Sequence, residues 1–336
     1  MPFCTEKEQV EKLIDQYGFG QLTNVGKQRS YELGKFIRRR YDSLLSPIFN
    51  ASEIHIRSTD STRTKMTVLT AMAAVYPPQK DNWSQDILWT PVPFTTVPMM
   101  LDYNLATMNC PIVVKALHKA LETPDQAMVN KYKVLLENLS EIHGINITEK
   151  PILAYPVYDA YISQIHLGIP LGNNYEEMLP ELHEAASEAL DKLLEENIDL
   201  QEGVLLKEFF DAVDRVLSGD EKKRIQVYSA HDLNVYAFEV ITNVRKKQGT
   251  PKYCALYSLE LRKVLKSKKE EPEYIVVPVY LPEPGQREIY LPVEGCRGFC
   301  DLASFRRITE KNAIDLMQYR SQCGYGEKPA DTSAVD

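Results

Sequence analysis

The chain of 336 residues is 44% hydrophobic and 26% charged. These values lie near globular averages and exclude a disordered or fibrous protein. Its 39 Lys and Arg against 47 Asp and Glu leave a net charge of −8 and a pI near 5.5. Nucleic acid is therefore repelled overall, and any anionic ligand has to be met by a local cationic pocket. The most apolar stretch, from Ile152 to Leu171, is interrupted by Pro156, Asp159, Gln164, His166 and Pro170, so no membrane span is expected. The first residues, from Met1 to Glu8, lack a basic segment followed by an apolar one, so no signal peptide is read there.

In chain order, Thr5-x-x-Glu8 has the capping-box spacing, and Val10, Leu13 and Ile14 share one helical face, predicting a helix over residues 5–16. The Gly-rich break at Tyr17–Gly20 precedes a second helix, in which Leu33, Phe36, Ile37, Tyr41 and Leu44 form the apolar stripe and Arg38–Arg40 the solvated side. Residues 53–57 read as a short strand, and Ser58–Ser61 supplies N-cap chemistry for a helix from Thr62 to Tyr76. Strand-like pieces follow at 87–89 and 92–97. Residues 104–203 are mostly helical in pattern and read as an inserted cap. Residues 224–229 then form a strand leading into a helix through Ile241. Residues 255–264 and 274–281 predict an antiparallel hairpin joined by the charged turn Lys266–Pro272. The polar tail beyond Gly324 is expected to fray.

Two places share one design, a short apolar strand running through a polar cluster into a helix. They are Ile54–Thr64, carrying Arg57, and Val227–Asn234, carrying His231 and Asp232. In an α/β sheet, ligands collect beyond the carboxyl ends of strands, where helix N-termini point N–H groups outward. There Arg57 can clamp a phosphoryl group, and a His-Asp pair can add a cationic donor and a proton source. Each residue also has a plainer reading: Arg57 as a surface ion-pair partner, Asp232 as a helix cap. His55 is read as structural, and His118, His143, His166 and His183 show no paired spacing and carry no role. No metal ligand set is evident.

Asn50, Asn82, Asn138 and Asn146 stand in Asn-x-Ser/Thr sequons, and the chain has six cysteines. Together these point to an oxidising, glycosylating compartment; chance sequons and buried thiols account for them equally well.

Several segments, in the right order along nearly the whole chain, resemble the histidine acid phosphatases, and most closely their prostatic and lysosomal branch. They are Gly18-Phe-Gly-Gln-Leu-Thr-x-x-Gly26, Tyr31-Glu-Leu-Gly34, Arg38-x-Arg40-Tyr41, Ile56-Arg57-Ser-Thr-Asp60-x-x-Arg63-Thr64, Thr96-Val-Pro98, Asn109-Cys-Pro111, Tyr228-Ser-Ala-His-Asp232 and Gly295-Cys-x-x-x-Cys300. The resemblance implies an α/β fold: a mixed sheet flanked by helices on both sides, built from residues 1–98 and 204–336, with a helical cap at 99–203. It implies a small phosphomonoester substrate at acidic pH and no cofactor, and a homodimer fits it. It also implies that Arg57 holds phosphate, His231 donates a hydrogen bond to it, and Asp232 protonates the leaving oxygen. Arg63 is read as a structural ion-pair partner. The pairs Cys110–Cys323 and Cys296–Cys300 follow from the same resemblance. Cys254 matches a family position whose usual partner is missing, and Cys4 matches none, so these two either bridge or stay thiols.

The resemblance fails at one point. The family's nucleophile lies in an Arg-His-Gly-x-Arg-x-Pro segment ahead of Gly18-Phe-Gly; no Arg-His-Gly occurs here, and no histidine precedes His55. The expectation is a chain truncated before that segment, whose full-length form is secreted or lysosomal. The alternative is a non-catalytic relative that binds phosphorylated ligands.

Overall fold

The computed structural model describes residues 3–80, 83, 84, 86–194, 196–264 and 273–325. The sequon at Asn82, the turn at 266–272 and the tail from 326 onward lie outside the described residues.

Helix α1 (Lys7–Tyr17) opens the chain. Its start is not secured by the local capping box that the sequence offered. Instead Gln164, 1% exposed, accepts the N–H groups of Thr5 and Glu6 through Oε1 and donates to Thr5 Oγ1 and Pro170 O. A distant amide thus satisfies the donors that a helix start leaves open.

Helix α2 (Asn24–Arg40) is capped by Thr23, whose hydroxyl accepts from Gly26 N. It lies directly on α3 (Thr62–Val75). Gly34 permits this approach: a Cβ there would sit 2.0 Å from Ala71 O. Leu33, Phe36 and Ile37 meet Val68, Ala71, Met72 and Val75 over Ile54 and Ile56 of β1 (Ile54–Thr59) in one buried cluster. The stripe ends earlier than its periodicity suggests, because the helix stops at Arg40 and Leu45 is buried in place of Leu44. Nor is Arg38–Arg40 simply a solvated face. Arg40 is only 10% exposed and bonds Glu260 and Glu288 at 2.6 and 2.9 Å, while Arg39 alone is open.

Strand β1 is the middle of a three-stranded parallel sheet between β2 (Thr95–Val97) and β3 (Ile225–Ser229). Residues 87–89 form no strand. The intervening segment carries helices α4 (Pro111–Glu122), α5 (Gln126–Lys131), α6 (Lys133–His143), α7 (Ala154–His166), α8 (Asn173–Leu194) and α9 (Ile198–Ser218). The first five, with Phe3, build their own apolar cluster around Leu135, Leu136, Tyr161 and Leu182. Helix α9 runs unbroken through residue 203.

After β3, α10 (Asp232–Ile241) leads to the antiparallel hairpin of β4 (Leu256–Val264) and β5 (Glu273–Leu281), which carries the short strands β6 (Ile289–Tyr290) and β7 (Cys300–Asp301). Helices α11 (Leu302–Thr309) and α12 (Leu316–Gln322) close the chain. The alternation of side chains along a strand puts Leu256 and Leu281 in the α2–α3 cluster. On the opposite face Leu259, Leu261 and Val276 meet Phe210, Ile241 and Phe305. The architecture is mixed α/β with helices on both sides, as expected. Among the described residues, β3 and β4 each pair on one edge only, and every residue of β3 is half-buried.

Cys110–Cys323 and Cys296–Cys300 are both bridged. The Cys4–Cys254 bridge that the sequence left open is not formed. Cys4 packs with Val10 and Ile169, and Cys254 Sγ lies 3.6 Å from Ser30 Oγ.

Candidate active site

Parallel pairing sets Arg57 opposite Tyr228 and Ser58 opposite Ser229. The two strands therefore end together, and both run directly into helices whose first turns face the same place. His55, Arg57 and Thr59 share one face of β1 by the two-residue repeat. Thr59 Oγ1 lies 3.2 Å from His231 Nε2, so the arginine and the histidine border the same threonine.

Arg57 is not a surface ion-pair residue. It is 12% exposed, and its Nη2 donates to Asp102 Oδ1 at 2.5 Å. Asp102 is fully buried, and the same oxygen accepts the N–H groups of Asn104 and Leu105 at 3.2 and 2.9 Å. One carboxylate thus anchors the guanidinium while two main-chain donors anchor the carboxylate. Arg57 Nε is buried with no hydrogen-bond partner among the described residues, which leaves it as a donor for an anion.

Arg63 departs from its reading as a helix ion-pair partner. No salt bridge to it is found among the described residues, and its Nη2 lies 3.3 Å from His231 Nδ1. A guanidinium can only donate, so Nδ1 accepts and the ring proton sits on Nε2, directed at Thr59. Thr59 Oγ1 continues to Thr64 Oγ1 at 2.8 Å. Burial first, and then the charge of Arg63, holds His231 below its ordinary basicity against an opposing pull from Asp232. Without an anion the neutral ring is therefore favoured near pH 7 over the cationic donor expected of the His-Asp pair. A bound phosphate would raise it again.

His231 is the N-cap of α10 and Asp232 its first residue. The His231 N–H donates to Asn234 Oδ1 at 3.2 Å, and Asn234 Nδ2 donates to Leu105 O and Glu202 Oε1 at 3.0 and 2.7 Å. The turn bearing His231 and Asp232 is thereby tied to α9 and to the same loop that holds Arg57. Complete burial, with a further push from Asp102, lifts the Glu202 carboxyl well above its usual range. Asp232 Oδ2 accepts from Tyr155 OH of α7 at 2.6 Å. Burial and the charge of Asp232 keep that phenol protonated.

Sequence reasoning placed Arg57, His231 and Asp232, and the structure brings all three to one strand end. It missed Asp102, Tyr155 and Glu202, which lie 45, 77 and 32 residues along the chain from Arg57, Asp232 and Asn234, the groups they touch. Only Asn234, three residues after His231, carried a local signal, the spacing of a capping box. His55 lies against Tyr228 with ring centres 6.3 Å apart. His118, His143 and His183 sit on α4, α6 and α8.

A family model, the histidine phosphatase superfamily (branch 2), matches residues 2–258. The chain belongs to this family. Human prostatic acid phosphatase is 30% identical over 301 residues, 87% of this chain and 76% of that protein. The venom acid phosphatase of Apis mellifera is 29% identical over 87% of this chain and 75% of its own length. Human lysosomal acid phosphatase is 27% identical over 95% of this chain and 75% of its own. Among solved structures, the Citrobacter braakii phytase superposes with a TM-score of 0.62 at 14% identity, covering 90% of this chain and 89% of its own. The Hafnia alvei phytase in complex with myo-inositol hexakis sulphate gives 0.61 at 15% identity, covering 88% of each. At such identities the structures share the fold.

Proposed function

We propose that this chain binds phosphomonoesters at the common end of β1 and β3 and belongs to an acid-phosphatase-type hydrolase. Arg57 and His231 hold the phosphoryl oxygens, Arg63 adds positive charge, and Asp232 passes a proton to the leaving oxygen. The observation that carries this reading is the buried Arg57–Asp102 pair beside Thr59 and His231: a fixed guanidinium with an unpartnered buried N–H, next to an imidazole and a carboxyl. Cations preset around a phosphoryl group stabilise its charge-rich transition state, and an acid at the ester oxygen spares it leaving as a bare alkoxide. Asp232 has to carry a proton to act, which favours acidic pH.

A phosphohistidine mechanism needs a second histidine, and none of the other histidines is hydrogen-bonded to Arg57 or His231. We propose that the hydrolytic form takes its nucleophile from a further strand added to the open edge of β3. The second reading, a chain that binds phosphate esters without turnover, is favoured by the absence of Arg-His-Gly from these 336 residues. Calorimetric titration with inorganic phosphate, together with p-nitrophenyl phosphate turnover, tests both. Residues 1–336 should bind phosphate, and Arg57→Met should weaken binding by about tenfold or more. No binding by the wild type sinks the proposal. Saturable turnover by residues 1–336 that depends on His231 would show that no further histidine is needed.

A secreted or lysosomal setting fits the two disulfides and the exposed Asn50, Asn138 and Asn146. Endoglycosidase treatment of the native protein that left its mass unchanged would remove this support. Among the described residues no helix is long and apolar enough to cross a membrane. Pairing of two copies is proposed through β2, whose outer edge is unpaired among the described residues and whose neighbours Leu88, Trp89 and Met100 are 82, 39 and 78% exposed.

A further inference from the structure

Helix α7 carries a row of polar groups at successive turns that begins at Asp232. Tyr155, Asp159 and Ser163 are spaced by four residues and so share one face, each about 6 Å from the next along the axis. Both ends of the row are fastened. Tyr155 OH donates to Asp232 Oδ2 at 2.6 Å, and Ser163 Oγ lies 2.5 Å from Tyr253 OH. His166 continues the row, its ring centre 5.2 Å from that of Tyr253. Asp159, in the middle, is solvent-exposed and has neither a hydrogen bond nor a salt bridge among the described residues. This carboxyl, without a hydrogen-bond or salt-bridge partner among the described residues, stands one helical turn beyond the tyrosine that bonds Asp232.

We propose that Asp159 selects the leaving group, favouring phosphomonoesters of amino alcohols whose cationic nitrogen lies two or three carbons from the ester oxygen. This inference rests on the phosphate-site reading given above. The spacing suits it: the ester oxygen meets Asp232, and an ammonium reached through two or three carbons arrives near the next helical turn. The charges around Asp159 agree. Crowding by the surrounding protein and then the charge of Asp232 push its carboxyl up to about 6, with Arg63 pulling the other way. A substrate cation offsets the repulsion from Asp232. Arg63 Nη2 is engaged at His231 Nδ1, and no salt bridge joins Arg63 to Asp159 among the described residues.

Two isosteric probes test this at pH 7, where Asp159 is charged: O-phosphoethanolamine and n-propyl phosphate, titrated calorimetrically into the full chain. The wild type should bind the amine about fivefold more tightly, the upper end for a solvent-exposed ion pair. Asp159→Asn should bring the ratio to about one, and Asp159→Lys should bind a third probe, 2-phosphoglycolate, more tightly than the amine. Equal affinity of the wild type for the two probes overturns the inference, as does a ratio unchanged in Asp159→Asn. In either case the phosphate site stands if Arg57→Met weakens binding of both by about tenfold or more. Failure of the wild type to bind inorganic phosphate overturns the site itself and this inference with it.

Discussion

If Asp102 is what holds Arg57, the two residues are energetically coupled, and a double-mutant cycle with Asp102→Asn and Arg57→Met measures the coupling. The pair is nearly dry, at 0% and 12% exposed. Removing one partner of such a pair leaves an uncompensated charge, which costs about 3–5 kcal/mol. Asparagine keeps an oxygen that can accept from Asn104 and Leu105 N–H, so Asp102→Asn isolates the lost charge and should cost about 3 kcal/mol. Methionine is neutral and of similar length, so Arg57→Met should strand the Asp102 carboxylate at a similar cost. The double variant removes both charges and should be less destabilised than the sum of the two by roughly 2 kcal/mol. With about 2.1 cal/mol/K of unfolding entropy per residue, a 3 kcal/mol loss lowers the melting temperature of a chain this long by roughly 4 °C. Differential scanning calorimetry with the disulfides intact resolves that. Additive single and double variants would refute the pairing, and so would an Asp102→Asn protein that melts with the wild type.

Burial lifts Glu239 from the ordinary carboxyl range to about 8. Its Oε2 is buried without a partner, while Oε1 accepts from Gln248 N. A carboxyl raised on folding lends its full stability below about pH 4.5 and loses it as pH climbs toward about 8. Glu239→Gln should therefore gain on the order of 2–4 kcal/mol over the wild type at pH 8 and little at pH 4.5; parallel urea-unfolding profiles across that range would contradict it. Gly34→Ala places a methyl 2.0 Å from Ala71 O and 2.8 Å from Ala74 Cβ, so α2 and α3 must part, at a cost of about 1–3 kcal/mol or more. An unchanged urea midpoint would mean that the helix contact is soft. If β2 pairs two copies, Trp89→Glu should sediment as a monomer and the wild type as a dimer at micromolar concentration; a monomeric wild type removes that interface.

The local patterns of the chain determined much of the fold. Alternating Ile54 and Ile56 made β1, the two Val-, Leu- and Tyr-rich runs made the β4–β5 hairpin, and strand–cluster–helix segments set Arg57, His231 and Asp232 at strand ends. These features arise from residues close together in sequence, so their periodicity can be read directly. What the tertiary structure decided are the partnerships between distant segments. Gln164 displaces the expected local cap of α1, Glu260 and Glu288 bury Arg40, and Asp102 fixes Arg57. Arg63 turns to His231, leaving that ring neutral, and Tyr155 and Asp159 arrive beside Asp232 on a helix whose sequence looks like ordinary apolar packing. Burial and long-range charge set these outcomes, and neither quantity exists until the chain has closed on itself.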